Sequence, residues 1–90
     1  MKIIKVGAMW CPACIKMNKF WKSIKESYSN IEFTELDLDM DEDEVKKLNI
    51  GSILPEIIVY NNDQEISRII GEKTQEQLEK ELGELIDKEC

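Results

Sequence analysis

Ninety residues, 42% of them apolar and 34% charged, fit one soluble domain over residues 1–90 with a single core. Twelve basic against 19 acidic residues leave a net charge of −7, and that field, with no basic cluster to offset it, excludes nucleic acid and anionic membrane surfaces as partners. No stretch approaches the roughly 18 consecutive apolar residues of a membrane span and the N-terminus has no signal-peptide core, so a cytoplasmic location is expected.

Ile3 to Ala8 is an apolar, β-prone run interrupted once by Lys5, which predicts a strand buried on both faces of a sheet. From Pro12 to about Tyr28, the residues Met17, Phe20, Trp21, Ile24 and Tyr28 recur at helical spacing, while Lys16, Lys19, Lys22 and Lys25 fall largely elsewhere. This is an amphipathic helix, with Pro12 at its first position, where a missing N–H costs nothing. Ile31 to Leu38 reads as a second strand, and Asp41 with Glu44 has the spacing of a capping pair for a short helix through Leu48. Ile57 to Tyr60 and Glu65 to Ile70 read as strands joined by the turn residues Asn61, Asn62 and Asp63 into a hairpin. Thr74 with Gln77 caps a last helix whose inward stripe is Leu78, Leu82, Leu85 and Ile86. The order β-α-β-α-β-β-α predicts an α/β domain with a four-stranded mixed sheet flanked by three helices.

Chemistry concentrates in Trp10-Cys11-Pro12-Ala13-Cys14. Two cysteines at this spacing can be a redox couple, part of a metal site or a structural disulfide. A zinc or iron–sulfur site needs three or four ligands, and the chain offers no histidine and only Cys90 as a third thiol, so a metal would have to be shared between two chains. An inert disulfide sits poorly in a reducing compartment. The helix start puts Cys11 at the N-cap, where unpaired backbone N–H groups and the helix dipole favour a negative sulfur. Cys14 falls on the stripe of Met17, Trp21, Ile24 and Tyr28 and should point inward. The expectation is an exposed attacking sulfur at Cys11 and a sheltered resolving sulfur at Cys14. Trp10, preceding the thiol, reads as an apolar lip or as plain core. The acidic run from Asp37 to Glu44 reads as a solvated loop and helix start rather than a calcium loop, since it lacks the glycine and bidentate-glutamate spacing. Cys90 reads as a loose tail, with an intermolecular disulfide as the alternative.

With its downstream residues in register, the chain resembles the thioredoxin family. Pro55 follows Cys14 by 41 residues, Asn62 follows Pro55 by seven, Gly71 follows Asn62 by nine, and Gln77-Leu78 comes next. The resemblance covers essentially all 90 residues, with departures. The opening strand and helix of full-length thioredoxins are missing, an outline similar to that of glutaredoxins and other minimal redoxins. Pro12-Ala13 replaces the usual Gly-Pro between the cysteines, and Leu54-Pro55-Glu56 replaces Ile-Pro-Thr, with a cis peptide expected at Leu54–Pro55. The family's acid six positions before the attacking cysteine and its lysine on the neighbouring strand are exchanged here for Lys5 and Glu35, which predicts a semi-buried pair beneath the site with Glu35 shuttling protons toward Cys14.

The resemblance implies a monomeric thiol–disulfide oxidoreductase that reduces protein disulfides through Cys11 and Cys14, supported by Trp10, Pro12, Pro55, Lys5 and Glu35. Disulfide-containing client proteins would rest on Trp10, Leu54, Pro55 and Gly71. Electrons would come from a thioredoxin-reductase-like donor carrying the NADPH-dependent flavin chemistry, with no cofactor bound to this chain. Two alternatives stand beside it: a glutathione-dependent, glutaredoxin-like protein, against which the missing Tyr and the Gly71-Glu72 pair argue, and a non-enzymatic redox sensor or binding module.

Overall fold

The computed structural model describes residues 1–89, so Cys90 lies outside the described residues. Strand β1 (Lys2–Gly7) lies inside a four-stranded sheet, parallel to β2 (Glu32–Asp37) on one side and antiparallel to β3 (Glu56–Asn61) on the other. Strand β4 (Gln64–Ile70) pairs antiparallel with β3 at the far edge, giving the order β2-β1-β3-β4. Helix α1 (Pro12–Ser27) makes the crossover between β1 and β2, α2 (Glu42–Lys46) precedes β3, and α3 (Gln75–Glu89) ends the chain. The element order is the one expected, and no helix among the described residues is long and apolar enough to cross a membrane.

Side chains of a strand alternate between faces, so β1 feeds two cores. Ile3 joins Met17, Trp21 and Ile24 of α1, Ile57 and Val59 of β3, and Leu78, Leu82 and Ile86 of α3. Ile4, Val6 and Ala8 turn the other way and cluster with Val45, Leu54 and both cysteines. Burying roughly 1.5–3 kcal/mol worth of side chain at each of these positions is what holds helices to sheet. Leu85, expected on the inward stripe of α3, is only partly buried.

Local signals explain most element ends. At the β3–β4 turn Asn62 and Asp63 have φ of 55° and 64°, the left-handed pair that a two-residue hairpin turn requires and that asparagine and aspartate tolerate. The start of α3 is a reciprocal cap: the Gln77 N–H donates to Thr74 Oγ1 at 3.1 Å and the Thr74 N–H donates to Gln77 Oε1 at 3.0 Å. The expected Asp41–Glu44 cap does not form. Asp41 stands at the N-cap of α2 without a side-chain capping bond, because its carboxylate accepts the Asp37 N–H at 2.8 Å instead, and α2 stops at Lys46 rather than Leu48.

One buried ion pair ties the segment before β3 to the sheet. Glu56 is 1% exposed, and its carboxylate accepts from Arg68 Nη1 at 2.7 Å and from the Gly51 N–H at 3.2 Å. Arg68, the only arginine in the chain, also donates to the Leu48 carbonyl at 2.6 Å and to Glu65. Removing one partner of a buried pair leaves the other charge uncompensated, which costs about 3–5 kcal/mol. Arg68→Met is therefore expected to lower unfolding free energy by about that amount in urea denaturation, and adding Glu56→Gln is expected to restore part of it. An unchanged midpoint for Arg68→Met would mean the Glu56 carboxylate is satisfied by other groups.

Candidate active site

The turn from β1 into α1 sets the two thiols one helical turn apart. Cys11 is in extended backbone conformation (φ −88°, ψ 113°) at the N-cap, Pro12 follows at the first helical position, and the Cys11 N–H closes the turn onto the Ala8 carbonyl at 3.2 Å. The Cys14 backbone N–H donates to Cys11 Sγ at 3.2 Å, so a sulfur takes the capping role that a serine or aspartate oxygen usually fills. No acidic residue competes in the first turn of α1. Both cysteines are free thiols.

The expected contrast in exposure is not found. Cys11 is 5% exposed and Cys14 is 3%, because both side chains belong to the apolar cluster with Ala8 and Leu54. What differs is the surroundings of each sulfur. Burial first, and the hydrogen bond with Cys11 second, push the Cys14 thiol up to about 11. Gly7 lies directly behind it: a Cβ on Gly7 would stand 3.1 Å from Cys14 Sγ, a tight contact that the sulfur would have to relieve by moving a few tenths of an ångström.

Around the thiols the surface is apolar. Trp10 is 62% exposed and Met9 81%, with Ile53 and Ile70 also outward. Trp10 is thus the lip of the site and not core, and its indole N–H donates to Asp39 Oδ2 at 2.7 Å, which holds the ring at the rim. The Leu54–Pro55 peptide is cis, as expected. Leu54 packs in the cysteine cluster, Pro55 is buried, and the Pro55 carbonyl accepts the Gly71 N–H at 2.9 Å. Gly71 has φ +90°, so its glycine is required by backbone conformation, and a Cβ there would also meet Ile53 at 3.4 Å. Trp10, Cys11, Cys14, Leu54, Pro55 and Gly71 are thereby brought to one end of the sheet.

Lys5 and Glu35 are register partners on β1 and β2 and do pair, with Lys5 Nζ 3.4 Å from Glu35 Oε1. Lys5 is buried, donates to Asn18 Oδ1 and lies 4.9 Å over the Trp21 ring. Burial lowers the Lys5 ammonium below the ordinary lysine range, against the pull of Glu35. Glu35 is half-exposed and takes a second lysine, Lys25, at 3.1 Å. Burial alone would raise the Glu35 carboxyl, but the Lys25 hydrogen bond and the charge of Lys5 together hold it below the usual carboxylate range. A carboxylate so held is a weak proton acceptor.

Asp39, Asn18 and Gly7 are contributors to the site that sequence reasoning did not single out. The acidic loop does have an internal use: Asp37 Oδ1 accepts the Asp39 and Met40 N–H groups at 2.9 and 3.1 Å, which turns the chain so that Asp39 reaches Trp10. Among the described residues no group of three histidine, cysteine, aspartate or glutamate side chains is placed to hold a metal ion.

This geometry can be set beside known proteins. The thioredoxin family model matches residues 1–84. Sheep thioredoxin is 30% identical over 84 residues, covering 93% of this chain and 78% of that protein. Among solved structures, mitochondrial thioredoxin 3 of Saccharomyces cerevisiae superposes with a TM-score of 0.80 at 25% identity, over 92% of this chain and 76% of its own. Plasmodium falciparum thioredoxin superposes with a TM-score of 0.79 at 26% identity, over 99% of this chain and 81% of its own. A cysteine-capped helix at the edge of this fold, matched along nearly the whole chain, places the protein in the thioredoxin family, whose members are thiol–disulfide oxidoreductases.

Proposed function

We propose that this protein reduces disulfides in client proteins through Cys11 and Cys14 as a dithiol couple. The observation that carries the reading is the 3.2 Å hydrogen bond from the Cys14 N–H to Cys11 Sγ at the helix N-cap, which gives one sulfur a backbone donor at the helix N-terminus while holding the second within one turn of it. Cys11 attacks the client disulfide and forms a mixed disulfide, releasing one client thiolate. Cys14 then attacks Cys11; the Cys11–Cys14 bond forms, the Cys11–client bond breaks, and the second client sulfur leaves as a thiolate that takes a proton from water. Two electrons pass from the protein to the client, and an external reductase that carries its own flavin and nicotinamide returns them. A reducing compartment such as the cytoplasm suits that cycle.

Clients reach the 5%-exposed Cys11 across the rim formed by Met9, Trp10, Ile53 and Ile70. An extended client segment would run beside Leu54, Pro55 and Gly71, where Gly71 presents no side chain.

Cys11→Ser is expected to cut insulin-disulfide reduction by about a thousandfold or more, as loss of a nucleophile does. Cys14→Ser is expected to stop the cycle at a stable mixed disulfide, visible as a client adduct by intact mass. Assays coupled separately to thioredoxin reductase with NADPH and to glutathione identify the donor, and turnover with the reductase is the expected result. Full turnover by Cys11→Ser would sink the couple. At the rim, Ile53→Asp is expected to raise KM about tenfold, roughly 1.4 kcal/mol, with kcat nearly unchanged; an equal fall in kcat at constant KM would remove Ile53 from the docking surface.

A further inference from the structure

An open cavity of about 230 Å³ runs beneath the thiols and is lined by Lys5, Gly7, Cys14, Asn18 and Glu35, among others. Gly7 lines it next to Cys14, where a Cβ would stand 3.1 Å from the sulfur. Lys5 is the one cation on its wall, buried, with its ammonium held by Asn18 Oδ1, by Glu35 Oε1 at 3.4 Å and over the Trp21 ring at 4.9 Å. The cavity's other carboxylates are engaged elsewhere: Asp37 by two backbone N–H groups and Asp41 by the Asp37 N–H.

We propose that Lys5 is a positioning residue for the resolving step, its ammonium stabilising the thiolate of Cys14 across this cavity. The inference rests on the dithiol reading above and assigns the electrostatic role to Lys5 rather than to Glu35. In the resolving step the Cys14 thiol must lose its proton before it can attack Cys11 in the mixed disulfide. Burial and the Cys11 sulfur oppose that loss; the backbone hydrogen bond with Ala8 and then the Lys5 charge favour it. The proton leaves through the cavity to bulk water, the Cys14 thiolate forms the bond to Cys11, and the client sulfur departs with the electron pair of the broken bond. In the reverse direction Cys14 is the leaving thiolate, and the same ammonium assists its departure.

The groups facing the Lys5 ammonium fix its charge state. From α1 come Asn18, Trp21, Cys14 and, as a like charge, Lys25; from β2 comes Glu35; its β3 register partner is the apolar Ile57. Glu35 is the counter-ion that keeps Lys5 protonated in a site where burial favours the neutral amine. A carboxylate shuttle at Glu35 would instead need that group to take up a proton, against the two lysines that hold it ionised.

The test reads Cys14 directly, in a Cys11→Ser background, by the pH dependence of thiolate absorbance and of alkylation rate. Because no turnover is needed, its failure is separable from failure of the dithiol couple. Adding Lys5→Met is expected to raise the Cys14 midpoint by about one unit, the order expected for removing a unit charge that shares a partly solvated cavity with the sulfur. With Cys11 present, Lys5→Met should slow client release from the mixed disulfide about three- to fourfold near neutral pH, since the tenfold loss of thiolate is partly offset by the greater nucleophilicity of the less acidic sulfur. The double variant Lys5→Met/Glu35→Gln should keep the raised midpoint. Lys5→Gln, which retains a donor for Asn18, carries the same expectation if the methionine variant does not fold. A midpoint unmoved by Lys5→Met, or one that returns to its original value when Glu35 is also removed, overturns the proposal; the latter would mean that a freed carboxylate, not the lost ammonium, acts on Cys14.

Discussion

The site depends on a single turn. Between Gly7, the last residue of β1, and Pro12, the first of α1, the chain has four residues in which to reverse from strand to helix, and it does so by closing the Cys11 N–H onto the Ala8 carbonyl. That closure leaves Cys11 extended at the N-cap with its sulfur under the Cys14 N–H. Pro12 fits because its ring pre-sets the helical φ and the N–H it lacks has no partner at that position. Everything chemical follows from the sulfur being the capping group: it gains the backbone donor that a cap requires, and the second cysteine is carried one turn along the same helix.

The rest of the fold supplies surroundings for that turn rather than chemistry. β1 is buried along its interior, so its register against β2 and β3 is fixed by both cores, and this puts Lys5 opposite Glu35 and Gly7 behind Cys14. The Glu56–Arg68 pair anchors the segment that ends in the cis Leu54–Pro55 peptide, and Pro55 in turn receives Gly71. Trp10 is held outward by Asp39 from the turn that follows β2. Met9, Trp10, Ile53 and Ile70 are exposed while both thiols are buried.

Much of this was legible in the sequence, and what was not shares one physical cause. Helical stripes, the left-handed pair at Asn62 and Asp63, and the Thr74–Gln77 cap are short-range features, written in residues at most a few positions apart. The Cys11 N-cap followed from the helix start at Pro12, while the pairing of Lys5 with Glu35 and the cis peptide followed from the resemblance to thioredoxins. By contrast, Asp41 carries the right residue spacing for a helix cap, yet tertiary folding gives its carboxylate a better partner in the Asp37 N–H. Burial of Cys11 depends on Leu54, more than forty positions away, and the hold on Trp10 depends on Asp39, 29 positions away. Arg68 offered one signal that could have been used: it is the sole arginine, on an edge strand, in a chain with an acid placed directly after Pro55. A buried acid needs a partner, and a planar, five-donor cation is the natural one.

The central claim, that the capping sulfur attacks and the one a turn further along α1 resolves, is tested most directly on the unaltered dithiol protein. Mixing it with less than one equivalent of an aromatic disulfide, quenching with acid within milliseconds and mapping the adduct by peptide mass spectrometry identifies the sulfur that reacts first. The account predicts the adduct on Cys11, decaying into the Cys11–Cys14 disulfide. An adduct found first on Cys14, or divided evenly between the two, would contradict it.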